Sequence, residues 1–236
     1  MKLINLTSFI LTLVVFTACS PSAKDESHKT PAGTDKTIGM MEEPTVDLTK
    51  HGIADNPNNV LGGLEVGDIA PDFTLEDQDG NMVSLDKKLK EGPVLLVFYR
   101  ADWCSICRRH LAEFQDKIID IGESGVANVI AVSPQLPEYS LKLHTEHNYT
   151  FPIVYDKGHQ TMKDYKVFFH VTDKYNQYIT KAKGDPIELR NGNTEPVMPV
   201  PATYMIGQDK KIKYVHYDPN YRVRADIDEV LQSIES

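Results

Sequence analysis

Along the chain, the sharpest break in polarity is Val94–Tyr99, six apolar residues in a row between Pro93 and Arg100. A run this short, and this rich in valine, leucine and aromatics, predicts a buried strand. Past a polar corner, apolar residues recur at Leu111, Phe114, Ile118 and Ile121, the spacing of one helical face. Upstream, Phe73 and Leu75, then Met82 and Leu85, flank an acidic turn containing Gly80, which predicts a β-hairpin. Downstream, Ala127–Val132 predicts another strand and Pro137–His147 a helix with proline at its start. Phe151–Val154 reads as a further short strand, and the residues after Asp156-Lys157-Gly158 as a short helix to Tyr165. From Lys166 to Pro199 the pattern is interrupted by Gly184, Asp185-Pro186 and Asn191-Gly192-Asn193, so this stretch reads as an insertion holding one helix over Asp173–Lys183. Pro201–Ile206 resumes a strand, Ile212–His216 pairs back across Gly207–Lys210, and Ala225–Ile234 closes with a helix. Strands alternating with helices predict an α/β fold, with a central mixed sheet of about five to seven strands flanked by helices.

The first residues follow a different pattern. Lys2 precedes a mostly apolar Leu3–Ala18, short for a bilayer span and ending in small residues before Cys19. That arrangement predicts a secretory signal over 1–18. Phe16-Thr17-Ala18-Cys19 resembles a bacterial lipobox, with Phe16 where leucine is usual, which implies lipidation of Cys19 and attachment to a cell-envelope membrane. From Ser20 the chain is rich in Ser, Thr, Lys, Asp, Pro and Gly, and residues 19–63 are expected to form a flexible tether ahead of a domain over 64–236.

Composition narrows the function. Lysine and arginine total 25 against 34 aspartates and glutamates, a net charge of −9, so nothing advertises a nucleic-acid surface. The three cysteines, Cys19, Cys104 and Cys107, divide into one and two. A structural zinc site would need more Cys or His ligands at paired spacing, and the histidines show none. A three-residue disulfide loop removes little chain entropy, so stability alone is a poor reason for the pair. Redox chemistry is the better reading. Trp103-Cys104-Ser105-Ile106-Cys107 stands between the predicted strand and helix, which puts two thiols on one side of a helix's first turn. Free N–H groups and the positive end of the macrodipole favour a thiolate there. Electrons would reside on sulfur, and no cofactor is called for.

Strand, Trp-Cys-x-x-Cys helix, strand, helix, then Pro201-Ala202-Thr203-Tyr204 into a terminal hairpin and helix resembles the thioredoxin superfamily. Gly67-Asp-x-Ala-Pro-Asp-Phe-x-Leu, Asp79-Gly80 and Val83-Ser84-Leu85 are similar to the redoxin group of alkyl hydroperoxide reductases and thiol-specific antioxidants. The resemblance implies Cys104 as attacking thiolate and Cys107 as resolving thiol, with Trp103, Val200 and Pro201 at the substrate surface and Val200–Pro201 as a cis bond. Exchange with disulfides of exported proteins, or with a thiol reductant, is the favoured activity. The alternative is a peroxiredoxin-like peroxidase acting on hydroperoxides. Against the peroxiredoxin pattern Pro-x-x-x-Thr-x-x-Cys, this chain places Arg100 on the proline, Cys104 on the threonine and Cys107 on the peroxidatic cysteine. Arg100 or Arg109 would then supply the cation. A non-catalytic surface lipoprotein that kept the fold is the third possibility.

Overall fold

The computed structural model describes residues 47–124 and 128–233, without the side chains of 118–124. The predicted signal, Cys19 and the first part of the tether lie outside them. A short 3-10 turn over Leu48–His51 comes first. It is followed by β1 (Thr74–Glu76), β2 (Met82–Ser84), α1 (Leu85–Glu91), β3 (Val94–Phe98), α2 (Ser105–Ser124) and β4 (Asn128–Ser133). Next come α3 (Pro137–His147), β5 (Ile153–Tyr155), α4 (Gln160–Asp164), β6 (Phe168–His170), α5 (Asp173–Lys183) and α6 (Ile187–Arg190). The chain ends through β7 (Val197–Pro199), β8 (Ala202–Ile206), β9 (Ile212–Tyr217) and α7 (Ile227–Gln232).

The main sheet has the order β5-β4-β3-β8-β9, parallel from β3 to β5 and antiparallel across β8 and β9. This is the expected mixed sheet, and β1 with β2 forms the expected hairpin. At its centre, all five residues of β3 are buried. Each of its leucine, valine and phenylalanine side chains contributes about 1.5–3 kcal/mol on leaving water. Because successive side chains point to opposite faces, β3 feeds two cores. Val94, Leu96 and Phe98 join the cluster shared with the insertion, including Val167, Phe169, Ile179 and Met198. Leu95, Val97 and Tyr99 join the other, with Cys104, Cys107, Leu111 and Phe114. The helical stripe read from α2 is therefore the lid of the second core at Leu111 and Phe114; Ile118 and Ile121 lie outside the described side chains.

Two expectations are corrected. Residues 47–63 are not a tether but a packed strap. Ile53 is buried and bridges Val171, Ala54 N–H donates to His170 carbonyl, and Val60 N–H donates to Phe168 carbonyl. The strap covers the edge of the insertion's own pair, β6 with β7, where unpaired backbone groups need partners. Low apolar content hid this, because main-chain bonds carry much of the contact. Val200–Pro201 is also not cis, since no cis peptide occurs among the described residues. Pro201 directly precedes β8, where its missing N–H removes no ladder bond, and trans is the ordinary isomer.

Candidate active site

Cys104 and Cys107 stand where β3 hands over to α2. The corner between them is held from several elements. Gln135 Oε1 accepts the Asp102 N–H at 2.8 Å, while Gln135 Nε2 donates to Tyr99 Oη at 3.1 Å and to Ser140 Oγ at 3.2 Å. Asp102 Oδ1 accepts from Arg190 Nη2 at 2.8 Å, which ties α6 of the insertion to the cysteine corner. Arg190 is buried and lies 4.0 Å from the Tyr139 ring centroid, so its charge is covered by an aromatic face, paired with Asp102 through Nη2 and approached by Asp185 at 3.9 Å from Nη1.

The two cysteines form a disulfide with Cα atoms 5.2 Å apart. Cys104 occupies the cap position of α2, and its Sγ accepts the backbone N–H of Cys107 at 3.3 Å. One of the helix's orphan donors is thereby directed at sulfur. Cys107 receives a different partner. Arg224 Nη2 donates to its Sγ at 3.2 Å, and Arg224 Nε is buried with no hydrogen-bond partner. Burial lowers the Arg224 pKa to about 10, and the charges of Arg100 and Arg109 push the same way, so the group remains a cation at neutral pH. Cys107 is more enclosed than Cys104, although both are buried.

Cys104 borders a groove of about 430 Å³, whose walls include Trp103, Arg108, Tyr175, Lys183 and Tyr221. Tyr175 and Lys183 belong to α5, so the insertion builds one wall of the site. The strap supports that wall at Gly52. Its φ of 82° suits glycine, and a Cβ there would stand 2.8 Å from Tyr175 Cγ.

Of the residues singled out from sequence, the structure brings Trp103, Cys104 and Cys107 together. Val200 is fully buried and presents no side-chain surface to a ligand, and neither Val200 nor Pro201 lines the groove. Cys19 lies outside the described residues. Arg109 does not contact the sulfurs; its exposed side chain reaches toward Glu113 at 4.0 Å along the outer face of α2. Arg224 occupies the place expected for a cation and was missed, because it lies 117 positions from Cys107 in a loop without a motif. His216 stands close enough to His110 for its charge to act on that ring. Burial holds the His110 pKa down at about 3, with Arg224 and His216 adding to the effect, so this ring is neutral. Its 3.6 Å approach to Glu113 is therefore not an ion pair at neutral pH. Among the described residues, no group of three His, Cys, Asp or Glu side chains could hold a metal ion.

Comparison with known proteins agrees with this arrangement. The chain is 29% identical over 153 residues to a chloroplastic peroxiredoxin Q of Triticum aestivum, covering 64% of this chain and 70% of that one. It is 25% identical over 179 residues to a chloroplastic peroxiredoxin Q of Sedum lineare, covering 76% and 82%. Among solved structures it resembles the peroxidoxin BcpB of Mycobacterium tuberculosis, with a TM-score of 0.56 and 20% identity over 73% of this chain and 97% of that one. A peroxiredoxin-like protein of Aquifex aeolicus gives a TM-score of 0.56 at 20% identity, over 75% and 89%. At that identity the solved structures establish the thioredoxin-like fold. Residues 66–215 match the AhpC/TSA family. The match spans more than half of the chain and includes both cysteines, so the protein belongs to the AhpC/TSA family, as a peroxiredoxin-like oxidoreductase.

Proposed function

We propose that this protein is a thiol peroxidase in which Cys107 reacts with hydroperoxide and Cys104 resolves. The observation that carries the reading is the Arg224 guanidinium 3.2 Å from Cys107 Sγ, with its Nε donor still unused. A guanidinium there favours the thiolate over the thiol. The idle donor is available to the oxygen on which negative charge develops as the O–O bond breaks. The peroxiredoxin relatives favour this chemistry over the exchange of exported protein disulfides expected from the Cys-x-x-Cys pattern.

With the pair reduced, Cys107 thiolate attacks the terminal oxygen of ROOH, the O–O bond breaks, and alkoxide leaves. The alkoxide takes the proton of the Cys104 thiol. Cys104 thiolate then attacks the Cys107 sulfenic acid, and hydroxide leaves and is protonated to water. Two thiols and one hydroperoxide give a disulfide, an alcohol and water. The oxidised product is the bonded Cys104–Cys107 pair.

The lipobox-like Phe16–Cys19 supports a place on a bacterial envelope membrane, and loss of palmitate labelling in Cys19→Ser checks it. For the chemistry, reduced protein mixed with hydrogen peroxide or cumene hydroperoxide should consume one equivalent and become fully disulfide-bonded, while reducing insulin poorly. Fast insulin reduction without peroxide consumption would overturn the reading in favour of dithiol exchange.

A further inference from the structure

The site holds a second guanidinium, and this one has no ion partner. Arg100 is 1% exposed, and its Nε, Nη1 and Nη2 are buried without a hydrogen-bond partner, although the residue lines the groove. Rings surround it, with centroids 4.2 Å (Tyr221), 4.8 Å (Tyr175) and 5.5 Å (Trp103) from its central carbon. Cation–π contact engages a guanidinium through those rings and leaves its N–H donors unspent. Burial pushes the Arg100 pKa below its ordinary value, opposed in part by the Tyr175 and Tyr221 hydroxyls, which approach the guanidinium without meeting hydrogen-bond geometry. A buried charge with unused donors is costly, and an anion seated among those donors removes the cost.

The groove supplies the rest of the recognition. Arg108, Lys183 and Arg222 also line it, and no acidic side chain does. This concentration of cations stands out on a chain whose net charge is −9. The cysteine among the lining residues is Cys104, whereas Cys107 lies behind it against Arg224. A molecule in the groove is therefore placed to attack Cys104 Sγ, with the better-stabilised sulfur as leaving group. The space, about 430 Å³, falls within the range of small-molecule sites.

We propose that this groove seats a small organic thiol bearing a carboxylate, paired with Arg100, and that this thiol reduces the Cys104–Cys107 disulfide. Its thiolate attacks Cys104 Sγ, the bond to Cys107 breaks, and Cys107 leaves as a thiolate beside Arg224. A second molecule attacks the mixed disulfide through its thiolate and departs as the symmetric small-molecule disulfide, while Cys104 leaves as thiolate and takes up a proton. Two small thiols supply the two electrons. The inference deepens the peroxidase reading by naming the reductant's chemical class.

Stopped-flow reduction of the oxidised protein tests this without peroxide, with Trp103, the single tryptophan of the chain, as reporter. The probes are 3-mercaptopropionate, its amide and cysteamine, each rate normalised to the same thiolate's rate with a small neutral disulfide. The carboxylate should react about tenfold faster than the amide, as charge-assisted pairing implies, and cysteamine slowest. In Arg100→Gln the acid-to-amide ratio should fall toward one. The doubly exposed-site variant Lys183→Gln/Arg222→Gln should lower it in part, and serves if Arg100→Gln does not fold. Equal normalised rates for acid and amide in the unaltered protein would overturn the proposal, as would a ratio undiminished in the variants. Acid preference with no peroxide consumption would instead uphold the groove's role and remove the peroxidase reading.

Discussion

Cys104 and Cys107 share one bond and one helical turn, yet Cys104 takes a backbone N–H and borders a groove, while Cys107 is enclosed against a guanidinium. The cap position explains the first environment. N–H groups at a helix start are free whatever the sequence around them, and the groove wall comes from α5 of the insertion. The second environment needs a side chain from the far end of the fold, between β9 and α7. The difference teaches that a symmetric-looking Cys-x-x-Cys can divide its labour through what surrounds each sulfur. On the proposed mechanism, one sulfur meets a molecule in the groove and the other carries negative charge.

The sharpest way to break this division is to remove its cation. Arg224→Gln should lower the rate of peroxide reaction about a hundredfold, the usual cost of losing one donor to developing charge. The pH at which the reduced protein becomes reactive should rise at the same time, because the Cys107 thiolate loses its counter-ion. Arg224→Lys should recover part of the rate. A weaker disturbance acts on the groove side, where Arg190→Gln unties Asp102 from α6. Leaving Asp102 unpaired should cost about 2 kcal/mol in denaturant unfolding. It should also slow reduction by external thiol more than oxidation by peroxide, since Asp102 holds the corner ahead of Cys104.

On the enclosed side the effect at neutral pH is the smallest, and it is acid that brings it out. His110, one turn beyond Cys107, has a folded pKa of about 3 against an ordinary 6.5. Its folded value is depressed, so the unfolded chain takes up a proton that the folded protein refuses. Stability is complete above the unfolded value and is lost as pH falls, by about 3 kcal/mol from pH 6.5 to about pH 4. His110→Leu removes a ring whose two nitrogens have no hydrogen bond. It should change stability at pH 7 by less than about 1.5 kcal/mol, as near volume-conserving core changes do, while flattening the acid slope. Urea unfolding at pH 7 and pH 4 measures both.

Most of the scaffold was legible because local rules mark it. Pro137 opens α3 and Asn148 closes it in a left-handed conformation, so its bounds coincide with the predicted Pro137–His147. Thr172 caps α5, its side chain accepting the Tyr175 N–H, and Gly184 ends it, again as predicted for Asp173–Lys183. The disulfide pair was legible for the same reason, being local. What sequence could not give is anything assembled across distance. Arg224 reaches Cys107, and Tyr175 and Tyr221 close around Arg100, only after the insertion and the loop following β9 have folded back. The strap over 47–63 escaped because backbone bonds to β6, which do not depend on side-chain periodicity, hold it in place. Pro201 misled through its likeness to a thioredoxin position, where the order of residues matched and the peptide geometry did not.

The division of labour between the sulfurs is tested most directly by trapping the first oxidised species. Reduced Cys104→Ser and Cys107→Ser proteins are each given one equivalent of hydrogen peroxide in the presence of dimedone, and the adduct is mapped by mass spectrometry. A sulfenic-acid adduct forming rapidly on Cys107 in Cys104→Ser, with little on Cys104 in Cys107→Ser, is the predicted result. Rapid labelling of Cys104 with Cys107 left unmodified would contradict the account.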